Sequence, residues 1–409
     1  MEFLTIVYLV YIFIALYFLC IFALIYFQNK KNLFSPKKIT KEYSLDIVIP
    51  CYNKEKNVSK TIQSLLDSDY SYLKKIFVVD DCSTDNSWKI IKRFAEKYSK
   101  VIALQTPKNT GRASGAKNYG AKFVDADLIG FVDADSYPEK DAIKNMIGFF
   151  DDEKIVAVTP TILVEKTKTF IEKMQSIEYR IIAFTRRLLG CVDAIYVTPG
   201  PLAIYKKPIF DEMGCFDETN LTEDIEITWH FVSKGYKVGM SASSKVYTLA
   251  PDNFKEWFNQ RLRWNIGGIQ TINKYKKAFL KKGMLGYFVL PYFVLAWLIG
   301  IFGLSVLIYR TIQRIFLNYL STSYAIGAQT AMLTLREINL TPNVLIFFGI
   351  TIFILSFVFT MLALSYSQEK DFKKSGLFRI LIYMCVYLLA YPIILATSMY
   401  KFFRGRRSW

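Results

Sequence analysis

The sequence predicts an α/β domain with a mostly parallel sheet, inserted between transmembrane α-helices. Three observations carry this expectation. Long uncharged apolar runs stand at both ends of the chain, short apolar runs alternate with amphipathic stretches between them, and acidic residues close several of the short runs. A chain of 409 residues has room for one domain of roughly 200–250 residues plus a small membrane bundle.

Residues 1–28 are the first element. Phe3–Phe27 is uncharged over about 25 residues, enough to cross a hydrocarbon core of about 30 Å. It lacks a charged leading region and a small-residue cleavage site, so it reads as a retained anchor. Residues 29–43 form a polar, basic linker. The domain occupies residues 44–250. In order it reads LDIVIP, a helix Val58–Leu66, KKIFVVDD, a helix Ser87–Lys97, KVIALQ, a helix Ala113–Val124, LIGFVDAD, a helix Asp141–Phe150, and KIVAVTP. Short buried strands alternating with helices make βαβ units and a parallel sheet covered on both faces.

Residues 251–282 read as an amphipathic helix, broken at Gly267-Gly268. At about 100° per residue, Gln260, Arg263, Trp264 and Gly267 share one face, and Phe254, Phe258, Leu262, Ile266 and Ile269 share the opposite one. An apolar stripe beside a lysine-rich end suits the membrane interface. Residues 283–400 hold three clear spans, Met284–Tyr309, Val344–Tyr366 and Leu377–Tyr400. Ile315–Leu335 is a fourth uncharged stretch, with Asn318, Thr322 and Gln329 forming a polar stripe that faces a bundle interior or lies at the interface. Counting it as a span brings the basic tail, residues 401–409, to the cytoplasmic side.

The formal charge of +17 invites a nucleic-acid partner, but its distribution argues against one. Lys30, Lys31, Lys37, Lys38 and Lys41 follow the first span, and Lys274, Lys276, Lys277, Lys281 and Lys282 precede the second. Lysines in such positions meet anionic headgroups of the lipid bilayer and place the intervening domain in the cytoplasm of a multi-pass cell-membrane protein. The six cysteines form no CxxC pair and His230 is the single histidine, which argues against zinc and for reduced thiols. His230 follows Trp229 in an apolar stretch and reads as packed.

The chemistry concentrates in four acidic or basic clusters. Asp80-Asp81 close one strand and are expected to accept hydrogen bonds from a base or ribose. Asp133-Ala134-Asp135 follow another, and side chains two apart on an extended segment point to one side. Oxygen ligands of this kind suit Mg²⁺ or Mn²⁺ bridging a diphosphate. Between them, Gly111 permits close backbone approach and Arg112 offers a bidentate phosphate contact. Asp224, in Thr222-Glu223-Asp224, is the expected general base that takes an acceptor hydroxyl proton. Glu223 or Glu226 could serve instead, and Thr222 could cap the helix. Arg263 would stabilise charge on a leaving diphosphate, and Trp264 would stack on a sugar ring.

The ordered set DD, DxD, TED and Gln260-Arg261-Leu262-Arg263-Trp264, over roughly residues 44–300, resembles the processive family 2 glycosyltransferases. These include cellulose, chitin, hyaluronan and bacterial poly-N-acetylglucosamine synthases. The resemblance implies a GT-A nucleotide-diphospho-sugar fold, a UDP-sugar donor, Mg²⁺ or Mn²⁺, inversion to a β-linkage, and secretion of a growing polysaccharide through the membrane helices. It implies uridine contacts at Pro50, Tyr52, Asp80 and Asp81, metal and diphosphate contacts at Asp133 and Asp135, and the base at Asp224. Gln260, Arg263 and Trp264 would contact diphosphate and acceptor, and Thr198-Pro199-Gly200-Pro201-Leu202 would bind the acceptor. Lys54 departs from the family pattern, in which an acidic residue often follows the asparagine. The single N-terminal span and small membrane part are further departures. The expectation is therefore a membrane-embedded hexosyltransferase that polymerises UDP-N-acetylglucosamine or UDP-glucose. The alternatives are a non-processive transferase acting on a lipid or glycan, and a non-catalytic membrane assembly protein. Accessory secretion subunits are not identified by the sequence.

Overall fold

A computed structural model describes residues 2–33, 35–281, 283–327, 344–366 and 376–405. An eight-stranded sheet runs through the domain in the order β3-β2-β1-β4-β7-β6-β8-β5. The first half is parallel, as expected. β1 (Leu45–Cys51) pairs with β2 (Leu73–Asp80) and β4 (Leu128–Phe131), and β2 pairs with β3 (Val101–Gln105). The second half is mixed. β7 (Ala203–Lys206) runs antiparallel between β4 and β6 (Ile155–Val164), while β8 (Lys237–Thr248) is parallel to β6 and antiparallel to β5 (Ser136–Pro138).

Alternation along the strands builds two cores. Ile47, Ile49, Ile76 and Val78 face one side, beneath α2 (Val58–Leu66) and α3 (Ser87–Lys97). Val48, Phe77 and Val79 face the other, beneath α4 (Ala113–Ala121) and α8 (Glu223–Ser233). Each fully buried valine or isoleucine here contributes roughly 1.5–3 kcal/mol. The expected helix Asp141–Phe150 is shorter, with α5 (Lys144–Ile147) running into a 3-10 turn, Gly148–Asp151. A methyl group at Gly148 would lie 2.6 Å from the carbonyl oxygens of Lys37 and Lys38, so the linker packs against this turn.

Two helices between β6 and α8 complete the domain, α6 (Phe170–Gly190) and α7 (Lys207–Glu212). α6 opens on a capping box, Thr169 accepting from the Glu172 amide while Glu172 accepts from the Thr169 amide. α9 (Phe254–Tyr275) follows β8 as one continuous helix. It does not break at Gly267-Gly268 because Gly267 is the point where α9 presses on the TED segment. A methyl group there would lie 2.2 Å from the Thr222 hydroxyl.

Among the described residues, four helices are long and apolar enough to cross a membrane. α1 (Glu2–Asn29) and α11 (Val344–Tyr366) pack together and against α6. α10 (Leu290–Gly327) is a single helix of 38 residues, roughly 57 Å long. Ile315–Gly327 continues it, so no separate span begins at Ile315; residues 328–335 of that expected span lie outside the described residues. The last apolar segment is broken into α12 (Leu377–Cys385), a 3-10 turn and α13 (Ala390–Phe403). Pro392 supplies the reason, since it cannot donate to the Leu388 carbonyl and clashes with it.

Candidate active site

Because β1, β2 and β4 are parallel, their carboxyl ends meet at one sheet edge, where ligands bind in open α/β sheets. β7 runs against β4, with Ala203 opposite Phe131, so the loop entering β7 returns to that edge. The Asp133 amide donates to the Gly200 carbonyl at 3.1 Å. A methyl group at position 200 would lie 2.4 Å from the Asp133 carboxylate, so only glycine admits this approach.

A cavity of about 490 Å³ opens here. Pro50 and Tyr52 line one side, Asp81 and Arg112 another, and Asp133 with Asp135 the floor. Asn53, beside Tyr52, holds a left-handed backbone (φ 52°) that asparagine tolerates, and its side chain accepts from the Thr84 amide at 2.8 Å. Asp81 is buried and takes four hydrogen bonds from Thr106 and Thr110, tying the loop after β3 to the end of β2.

Two lysines balance the acidic floor. Lys54, the departure from the family pattern, pairs with Asp135 at 2.7 Å. Lys117 is buried on α4 and joins Glu223 at 2.9 Å to Asp133 at 3.6 Å. Burial alone would lower the Lys117 pKa, but Glu223 and Asp133 outweigh it and raise it. Sequence reading missed Lys117. The available signal was its place three residues before Gly120, which packs α4 onto Val48 and Val79 and so marks the buried face of that helix.

The three acids of α8 separate cleanly. Glu223 is held by Lys117. Glu226 is buried and turned towards α9, accepting from the Tyr275 hydroxyl and pairing with Lys274, both at 2.7 Å. Asp224 lines the cavity without an ion pair among the described residues. Among the described residues its carboxylate accepts only from the Ile225 amide, at 2.9 Å. Burial, reinforced by the adjacent Glu223, pushes its carboxyl up to about 6 against the opposing pull of Lys117 and Arg263. Thr222 stands at the helix N-cap but makes no capping hydrogen bond.

Arg263 and Trp264 reach this cavity from α9. They also line a second one of about 620 Å³, which shares Asp133, Asp135, Gly200 and Asp224 with the first. Pro201 and Gln260 belong to the second cavity alone. Behind Trp264, the Arg261 guanidinium lies 4.0 Å from the indole centroid. Arg261 pairs with Glu178 of α6 at 2.8 Å and donates to Tyr391 of α13 at 3.1 Å. Tyr387 and Tyr391 both donate to Glu178. This network also escaped the sequence reading.

Three of the expected contacts also have surroundings within the protein. Asp80 is buried and accepts from the Ser83 amide and the Gln105 side chain, so it orders the strand end and lines neither cavity. Leu202 is fully buried in the core under the sheet. Arg112 donates to the Glu218 carbonyl at 3.0 Å, which ties the Gly111 loop to the segment before α8.

Residues 46–214 match the family described as Glycosyl transferase family 2. The poly-beta-1,6-N-acetyl-D-glucosamine synthase of Staphylococcus aureus (strain COL) is 28% identical over 230 residues, 56% of this chain and 55% of that protein. The chain thus spans about half the length of such relatives. The synthase of the same name from Staphylococcus epidermidis (strain RP62A) is 27% identical over 321 residues, 76% of each chain. In structure, the chain is similar to a mannosyltransferase from Pyrobaculum calidifontis solved with GDP-Man and Mn²⁺, at TM-score 0.60 and 16% identity over 96% and 97% of the two chains. The chain therefore carries a family 2 glycosyltransferase match over residues 46–214, within a GT-A fold joined to helices apolar enough to span a membrane.

Proposed function

We propose that the protein is a membrane-embedded, inverting hexosyltransferase that polymerises UDP-N-acetylglucosamine into a β-linked polysaccharide. The observation that carries this reading is the place of Asp224, unpaired, on the wall shared by two cavities. The first takes the donor and the second the acceptor. The similarity to poly-beta-1,6-N-acetyl-D-glucosamine synthases supports the choice of sugar.

The DxD pair fits a divalent cation. Two carboxylates meet at the cavity floor, and no cluster of three or more metal-binding side chains occurs among the described residues. That donor set leaves positions for phosphate oxygens and water, which is how Mg²⁺ is held; Mn²⁺ suits the same oxygens. Asp133 and Asp135 would hold the ion, which when bound supplies charge neutralisation for the donor diphosphate. The protein's own groups do the rest. Pro50, Tyr52 and Asp81 frame the uridine, and Gly200 admits the sugar beside Asp133. Asp224 takes the proton from the acceptor hydroxyl as its oxygen bonds to the anomeric carbon. The bond from that carbon to the diphosphate oxygen breaks on the opposite face, and Arg263 receives the charge that develops there. Trp264, backed by Arg261, is the platform for the acceptor's terminal sugar.

The second cavity continues to Tyr292, Phe293 and Trp297 of α10 and Tyr391 of α13. A product leaving by this route would enter the membrane helices, consistent with extrusion. Lysines flanking the domain favour a cytoplasmic catalytic side and a multi-pass cell-membrane topology.

The test is to incubate the purified full chain with radiolabelled UDP-sugars, one at a time, and to size the products. Long products from UDP-N-acetylglucosamine, lost in EDTA and restored by Mg²⁺ or Mn²⁺, are expected. A single-sugar lipid product would overturn the polymerase reading.

A further inference from the structure

The second cavity contains a buried cation that has no ion pair among the described residues and feels the more distant pull of Asp224. Arg186, on α6, is only 6% exposed and lines the cavity. Its Nε has no hydrogen-bond partner, and among the described residues no carboxylate pairs with it. Burial pushes its pKa down. A buried, unpaired cation destabilises a fold, so the residue is tolerated at a cost that a ligand would offset.

The surroundings indicate what kind of ligand. Tyr196, Phe293 and Trp297 present aromatic surface to the same cavity, and Asp133, Asp135 and Asp224 form its other wall. Flat apolar faces beside a strong donor match a sugar residue, whose C–H faces stack while its hydroxyl and amide oxygens accept. Asp133 and Asp135 have Lys117 and Lys54 beside them, but Asp224 has no ion pair among the described residues, and a phosphate brought beside it would be repelled. A neutral, oxygen-rich ligand meets no such barrier.

We propose that Arg186 is an acceptor-binding residue, donating to the hydroxyl or amide oxygens of the acceptor glycan behind the sugar that faces Asp224. This rests on the glycosyltransferase reading, but its test needs no turnover. Full-length protein in nanodiscs of zwitterionic lipid is titrated calorimetrically with a β-linked N-acetylglucosamine pentasaccharide, without donor. Arg186→Met should raise the Kd at least about tenfold and leave UDP affinity within about twofold. Its unfolding temperature should stay at or above that of wild type, because an unpaired buried charge has been removed. A structural arginine would give the opposite, earlier unfolding. The proposal is overturned if the wild type does not bind the pentasaccharide, if Arg186→Met binds it equally well, or if that variant unfolds early. It is also overturned if a phosphate-headed lipid in the nanodisc displaces the pentasaccharide from wild type, since Arg186 would then serve an anion. Failure of the glycosyltransferase reading would appear separately, as wild-type protein that turns over no UDP-sugar.

Discussion

Charged residues around the donor cavity fall into two neighbouring groups that handle charge in opposite ways. At the DxD motif and the first residue of α8, Asp135 is paired with Lys54 and Glu223 with Lys117. One residue further on, Asp224 has no ion pair among the described residues, and its carboxylate accepts from the Ile225 amide. The same contrast divides two buried arginines of the second cavity. Arg261 has Glu178, Tyr391 and the face of Trp264, whereas the Arg186 Nε has no partner. Paired charges hold the shape of the site before any ligand arrives. The unpaired ones are left facing the cavities that ligands would fill.

The largest expected effect breaks the paired side. Arg261→Met leaves Glu178 buried without its counter-ion, which costs about 3–5 kcal/mol in unfolding free energy. Adding Glu178→Gln should recover much of that loss, because the orphaned charge goes too. Chemical denaturation of the single and double variants checks this; a double variant as unstable as Arg261→Met would show that packing matters more than charge.

A smaller effect sharpens the unpaired side. With the Asp224 carboxyl pushed up to about 6, the ionised base is lost as pH falls through that value. Donor kcat/KM should drop about tenfold per pH unit below it and level off above. The stability sign is opposite. A carboxyl with a raised folded pKa favours the folded state when protonated, so this contribution is lost as pH rises from about 4 towards 6. A flat pH–rate profile between pH 5 and 7 would remove Asp224 from the base role.

The smallest effect falls on the half-exposed pair. Lys54→Met should change unfolding by less than about 1 kcal/mol, because solvent screens the contact with Asp135. Its consequence should instead appear as a changed Mg²⁺ or Mn²⁺ requirement for turnover, read from a metal titration.

Much of this architecture was legible in sequence where the signal was local. Short apolar runs alternating with helical stretches located β1, β2 and β4, and α2 and α3 have the expected bounds. The acids Asp81, Asp133, Asp135 and Asp224 do line one cavity. What escaped depended on partners far away in the chain. Lys117 meets Glu223 across 106 residues and Arg261 meets Glu178 across 83, and neither spacing has a period to betray it. Asp80 and Leu202 sit within motifs that reach the site, yet both side chains are fully buried. The antiparallel β7 interrupts an otherwise regular βαβ pattern, and only four residues announce it.

The most direct test of the account is Asp224→Asn, followed by UDP release, product length and UDP affinity in the same purified preparation. The variant keeps the shape and cannot take a proton, so turnover should fall roughly a thousandfold while UDP affinity stays within about twofold. Because Asp224 supports no ion pair, thermal stability should hold at or above that of wild type. Loss of UDP affinity in step with turnover would move Asp224 into the nucleotide site, and retained polymer synthesis would contradict the assignment outright.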